Sequence, residues 1–174
     1  MKIAGGFKSL QEISELVTKL SKKVKATKAD IPTFGHSIDF GYSHVEVDEN
    51  GYHYVTVERG KEIQRLTTAE LEELLFHIFD DVTSEIARRF ETKNRESGRD
   101  SRRSYFAKQE ELLTQLLPIW GARSHERHET ILKDNPFDDN AVVRAQLCKT
   151  FQDEGMSGQR AWELACEKYP LPIT

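Results

Sequence analysis

Asn50-Gly51 sits between two segments that alternate apolar and polar residues, and this pairing constrains the fold more than anything else in the chain. Positive φ is needed at both centres of a type I′ turn, and Asn-Gly meets that need best, so a hairpin is expected here. Arg59-Gly60 gives a second, weaker turn signal. Three strands are predicted, at about 43–48, 52–58 and 61–66. Period-2 alternation then sends Val45, Val47, Val55, Val57 and Ile63 toward the core. His44, Glu46, Tyr52, Tyr54 and Gln64 would occupy the other face. A face with two tyrosines among polar groups suits protein recognition. The competing reading is that the N-terminal helix covers the tyrosines.

Helical periodicity takes over on both sides. Leu10, Ile13, Leu16, Val17, Leu20 and Val24 form a stripe over residues 8–26. A long helix is expected over 68–94, with Thr67 and Glu70 as a capping box and Leu71, Leu74, Leu75, Ile78, Phe79, Val82, Ile86 and Phe90 as its apolar stripe. A second is expected over 101–133, capped by Asp100 or Ser101. Tyr105, Phe106, Gln109, Leu112, Leu113, Leu116, Leu117 and Trp120 face inward, and Pro118 introduces a kink. Two long helices on a short connection pack antiparallel. Shorter helices follow at 139–153, capped by Asp138 or Asp139, and at 158–168, capped by Ser157. The expected fold is α+β: a small three- to four-stranded antiparallel sheet against two long antiparallel helices, with flanking helices at both ends. The 174 residues suffice for one domain, with 36–137 as its body and 138–174 as a helical extension.

Charge is unevenly distributed. Leu66 to Ala87 holds six carboxylates (Glu70, Glu72, Glu73, Asp80, Asp81, Glu85) and no Lys or Arg. Residues 1–28 hold seven lysines against two glutamates, a local +5 within a net charge of −4. Such asymmetry steers charged partners. Cys148 and Cys166 are the only cysteines and fall in helical, apolar contexts, so free thiols in a reducing compartment are expected. Met1 to Gly6 leads into a polar helix rather than an apolar leader, and no apolar run is long enough to span a membrane; a cytoplasmic location is the expectation.

Catalytic signals are weak. His125 and His128 are three residues apart and could share a metal, yet the His-Glu-x-x-His spacing of zincins is absent. His77 with Asp80 and Asp81 could also hold a metal, although an acidic surface containing one histidine is the plainer reading. Neither a phosphate-binding glycine loop nor a nucleophile elbow is present. Arg88, Arg89, Lys93, Arg95, Arg99, Arg102 and Arg103 form a basic patch, but Glu91, Glu96 and Asp100 interleave with it and aromatics for base stacking are sparse. No cofactor or metal is expected.

An ordered set of short elements runs through 51–137: Gly51-Tyr52-His53-Tyr54-Val55, Glu58-Arg59-Gly60, Thr67-Thr68, Leu71-Glu72-Glu73-Leu74-Leu75-Phe76 and Asp80-Asp81-Val82-Thr83. It continues with Asp100-Ser101-Arg102-Arg103, Phe106 to Leu113, Trp120, Arg123, Glu129, Ile131-Leu132 and Asn135-Pro136-Phe137. This set resembles the Imm63 immunity protein family of bacterial polymorphic toxin and contact-dependent inhibition systems. The resemblance covers about half the chain; the N-terminal helix and the tail add little to it, which suits a role in specificity. It implies a non-enzymatic protein that binds a cognate toxin C-terminal domain, with nucleases a common toxin class, and no nucleic-acid or membrane partner of its own. An acidic helix would suit a basic nuclease cleft by mimicking a phosphate backbone. On that reading the toxin interface is expected at Glu46, Tyr52 and Tyr54 and at Glu73, His77, Asp80 and Asp81. Arg102, Arg103 and Trp120 are assigned as structural anchors. The alternatives are a metal-dependent hydrolase built on His77, Asp80, Asp81 or the His125/His128 pair, and a nucleic-acid-binding regulator built on the Arg88–Arg103 patch.

Overall fold

The computed structural model describes residues 6–173; the segment Met1 to Gly5, read above as lacking an apolar leader, lies outside the described residues. Helix α1 (Leu10–Ser21) begins at Ser9, whose side chain and that of Glu12 form a reciprocal capping box. It ends earlier than the periodicity suggests, and Lys25 just beyond adopts φ +55°. A 3₁₀ turn (Lys28–Asp30) follows. Then come strands β1 (Thr33–Phe34), β2 (Ser43–Asp48), β3 (Gly51–Glu58) and β4 (Lys61–Thr68).

The sheet order is β1-β2-β3-β4. The two hairpins are antiparallel, while the short β1 joins β2 in parallel, an addition that the alternation pattern does not reveal. The first turn centres on Glu49-Asn50, because Asp48 pairs with Gly51. Gly51 at φ +136° lies so near β4 that a Cβ would stand 2.5 Å from the Thr68 carbonyl oxygen. The I′ signature occurs instead at Arg59-Gly60, where φ is +53° and +72°.

This register corrects the predicted faces. Val45 pairs with Tyr54, which pairs with Leu66, and Val47 with Tyr52. These residues line the core side. Val55 falls on the opposite face beside His44 and Arg65. Ile63, predicted inside, is 58% exposed next to a bulge at Thr56/Val57.

Helix α2 (Leu71–Lys93) starts at Glu70 without a side-chain cap. Thr67 and Thr68 belong to β4, and the Thr67 hydroxyl meets His53 Nδ1 at 2.9 Å, so the predicted capping box is replaced by strand pairing. The next predicted helix is two: α3 (Arg102–Leu116) and α4 (Pro118–Asp134). Pro118 does not kink a continuous helix. It pushes Leu117 to an extended conformation, φ −154° and ψ 126°, and occupies the first turn of α4, where its missing N–H is harmless. The chain reverses there and α4 packs back on α3. Gly121 permits this contact: a Cβ would stand 1.9 Å from Thr114 Oγ1.

The core joins Ile13 and Val17 of α1, Val45, Tyr52 and Tyr54 of the sheet, Leu74, Ile78, Phe79 and Val82 of α2, Leu112, Leu113 and Leu116 of α3, and Trp120 of α4. Trp120 stacks on Phe79 at 6.1 Å. Helices α5 (Ala141–Asp153) and α6 (Gly158–Lys168) form a hairpin around buried Ala161 and Ala165. Buried Arg144 ties α5 to the carbonyls of Tyr169 and Pro170 and to Asp138. Among the described residues no helix is long and apolar enough to cross a membrane.

Candidate functional site

Tyr52 and Tyr54 are interior residues, only 4% and 7% exposed. The Tyr52 hydroxyl accepts the Lys8 N–H at 2.9 Å, and its ring meets Phe7 edge-on at 5.2 Å. The N-terminal segment therefore covers this tyrosine, and the pair cannot serve as an outer aromatic patch. Glu46 lies on the other face, bonded to His44 Nε2 at 3.0 Å and to Arg65 at 2.9 Å. The tyrosines and Glu46 do not form one surface.

The acidic helix is also wired internally. Arg123 of α4 grips Glu73 through two bonds of 2.6 and 2.8 Å while lying over the Phe76 ring. That guanidinium, with His77 at 3.0 Å, holds the Glu73 carboxyl down to about 2. Arg127 grips Asp80 at 2.5 and 2.6 Å, and Gln109 donates to the same carboxylate at 3.0 Å. Two of the predicted interface acids thus close α2 against α3 and α4. Asp81 differs. Its Oδ2 turns onto the Tyr54 hydroxyl at 2.8 Å, and no cation pairs with it among the described residues. The rest of the residue is exposed to solvent. Packing around the carboxyl, with the Asp80 charge adding to it, raises the Asp81 pKa above the ordinary carboxylate range, although the Tyr54 bond opposes this.

His125 and His128 both direct Nδ1 toward Glu110, at 3.1 and 2.6 Å. His128 also stacks on Phe106 with 3.9 Å between ring centroids. Among the described residues no three His, Cys, Asp or Glu side chains converge as a metal site. The six arginines of the basic patch are all paired: Arg88 with Glu85, Arg89 with Asp30, Arg95 with Glu91, Arg99 with Glu96, Arg102 with Asp100 and Arg103 with Asp139, while Lys93 has no ion pair among the described residues. Arg102 also donates to the carbonyls of Asn135 and Pro136, both at 2.8 Å, just past the end of α4. Arg103 stacks 4.2 Å over the Phe137 ring.

A polar cleft lies open between the segment 29–32, the segment 41–43 and α2. Asp30, Tyr42, Tyr54, Asp81, Glu85, Arg88 and Arg89 line it. Gly41 and Tyr42 of the loop before β2 reach the cleft, and that loop exposes large apolar side chains: Ile38 at 47%, Phe40 at 84% and Tyr42 at 57%. Neither the loop nor the cleft was predicted from the sequence. The only sequence signal is an aromatic-glycine-aromatic run, Phe40-Gly41-Tyr42, in an otherwise polar stretch.

No curated protein and no solved structure matches the chain. A family model, Imm63 (immunity protein 63), matches a part of the chain that takes in β3, β4, α2 and α3, together with most of α4. These elements include both sides of the Glu73–Arg123 and Asp80–Arg127 pairs. Residues 48–130 match the model of the Imm63 immunity protein family.

Proposed function

We propose that the chain is an immunity protein that binds a cognate toxin domain directly and neutralises it without chemistry of its own. The Imm63 match over 48–130 carries this reading. The side chains agree with it. The groups that could have served catalysis or phosphate binding, His77, Asp80, His125, His128 and the arginines at 88–103, are engaged by neighbouring side chains. A tight block of this kind buries roughly 1,200–2,000 Å². The net charge of −4, with Glu70 at the start of α2 and Glu72 and Asp81 on it unpaired among the described residues, favours a partner with a basic surface, as nuclease toxins have. The place of action is the cytoplasm of the producing cell.

The test is a growth assay. The C-terminal domain of the toxin encoded beside this chain is induced with and without it. Restored growth and co-purification support the reading; continued killing alongside abundant soluble chain removes it.

A further inference from the structure

We infer that the toxin docks on the open cleft, with Phe40 and Tyr42 as aromatic anchors and Asp81 receiving a lysine or arginine side chain of the toxin. This rests on the immunity reading and specifies its surface.

The backbone gives the first argument. Asp39, Phe40 and Gly41 follow one another at φ +62°, +57° and +77°. Bulky side chains rarely adopt the left-handed region, and where they do the surroundings must hold them there. Here they do. Asp39 Oδ1 accepts the Phe40 N–H at 2.8 Å, and Asp39 Oδ2 accepts the Gly60 N–H at 3.0 Å. Ser37 Oγ accepts the Asp39 N–H at 3.0 Å, and the Gly41 N–H donates to the Val57 carbonyl at 2.8 Å. The result of this bracing is a phenyl ring 84% in water. Folding gains nothing from holding Phe40 there, whereas a partner that buries it gains the apolar area with little ordering left to do.

Charge identifies the occupant. Five ionic side chains line the cleft, and four neutralise each other: Arg89 with Asp30 at 2.7 Å and Arg88 with Glu85 at 3.1 Å. Among the described residues Asp81 is left over, bonded only to a neutral hydroxyl. An incoming cation would complete it, and Tyr42 on the rim adds an aromatic face for the same group. The cleft also joins two parts of the chain. Tyr54, Asp81, Glu85 and Arg88 lie within the family match, while Phe40 and Tyr42 lie before it.

The test uses the full chain and its purified cognate toxin domain in titration calorimetry, with thermal melts of every variant. Phe40→Ala is expected to weaken binding roughly 30-fold, as hot-spot truncations do. Asp81→Asn is expected to weaken it about tenfold while raising the melting temperature, because Asn still accepts from Tyr54 and removes a poorly housed charge. Trp162→Ala, an exposed aromatic on α6, is the control and should bind as wild type. Asp81→Lys should abolish binding, and a Lys→Glu or Arg→Glu change on the toxin should restore it. If wild type binds and both Phe40→Ala and Asp81→Asn bind equally well, the surface is elsewhere and the immunity reading stands. If wild type does not bind, both fail. If Phe40→Ala instead breaks a homodimer and leaves toxin binding intact, the patch belongs to a second copy and the inference is overturned.

Discussion

Arg123 holds Glu73 through two hydrogen bonds of 2.6 and 2.8 Å, linking α4 to the first turns of α2. Glu73 titrates near 2 in the fold, against an ordinary value of 4.5. A depressed carboxyl stabilises the fold fully above its unfolded pKa and loses that contribution as pH falls toward its folded pKa. Acid unfolding should therefore steepen between about pH 4.5 and 2. Arg123→Ala should lower stability at pH 7 and flatten that part of the curve, as followed by circular dichroism across pH.

His128 gives a dependence at milder pH. Burial against Phe106 lowers its pKa below 6.5, although Glu110 opposes the shift. The neutral imidazole is the one the fold accommodates, so the unfolded chain binds the proton more readily. Stability should be full above about pH 6.5 and decline as pH falls toward the lowered pKa. Urea midpoints at pH 7.5 and 5.5 measure this; in His128→Gln the gap between them should shrink.

Gly121→Ala tests the α3–α4 contact. The added Cβ would meet Thr114 Oγ1 at 1.9 Å and its Cα at 3.1 Å. Overpacking of this kind costs about 1–3 kcal/mol. Thr114→Ala should rescue part of the loss in denaturant melts, because it removes the hydroxyl but leaves the Thr114 backbone in place.

Arg102→Lys tests the joint after α4. A guanidinium forks between Asp100 and the carbonyls of Asn135 and Pro136; an ammonium cannot reproduce that geometry. The substitution should cost about 1.5–3 kcal/mol, a figure for hydrogen bonds to charged groups. Toxin affinity, measured where circular dichroism shows the variant folded, should be unaffected.

Element positions were legible because local signals agree with the fold: strand β2 and helix α6 occupy the predicted spans, and Ser157 caps α6 through the Arg160 N–H. Faces were less legible. A two-residue turn pairs odd positions of β2 with even positions of β3, so the valines of the two strands address opposite sides and Tyr54 goes inward with Val45. Pro118 signals a break but not whether the chain bends or reverses. The site was least legible. The countercharges for Glu73 and Asp80 lie 50 and 47 residues downstream, so a window reading saw bare acid where the fold has closed pairs. Phe40 lies in a loop whose left-handed backbone depends on Gly60 and Val57, contacts that no local pattern encodes.

The most direct measurement is to titrate purified toxin domain with the purified chain while recording both heat and residual toxin activity. The account predicts a saturable complex in which activity disappears at the same stoichiometry as the heat. Two folded proteins that show no heat of binding, with toxin activity unchanged at excess chain, would contradict it.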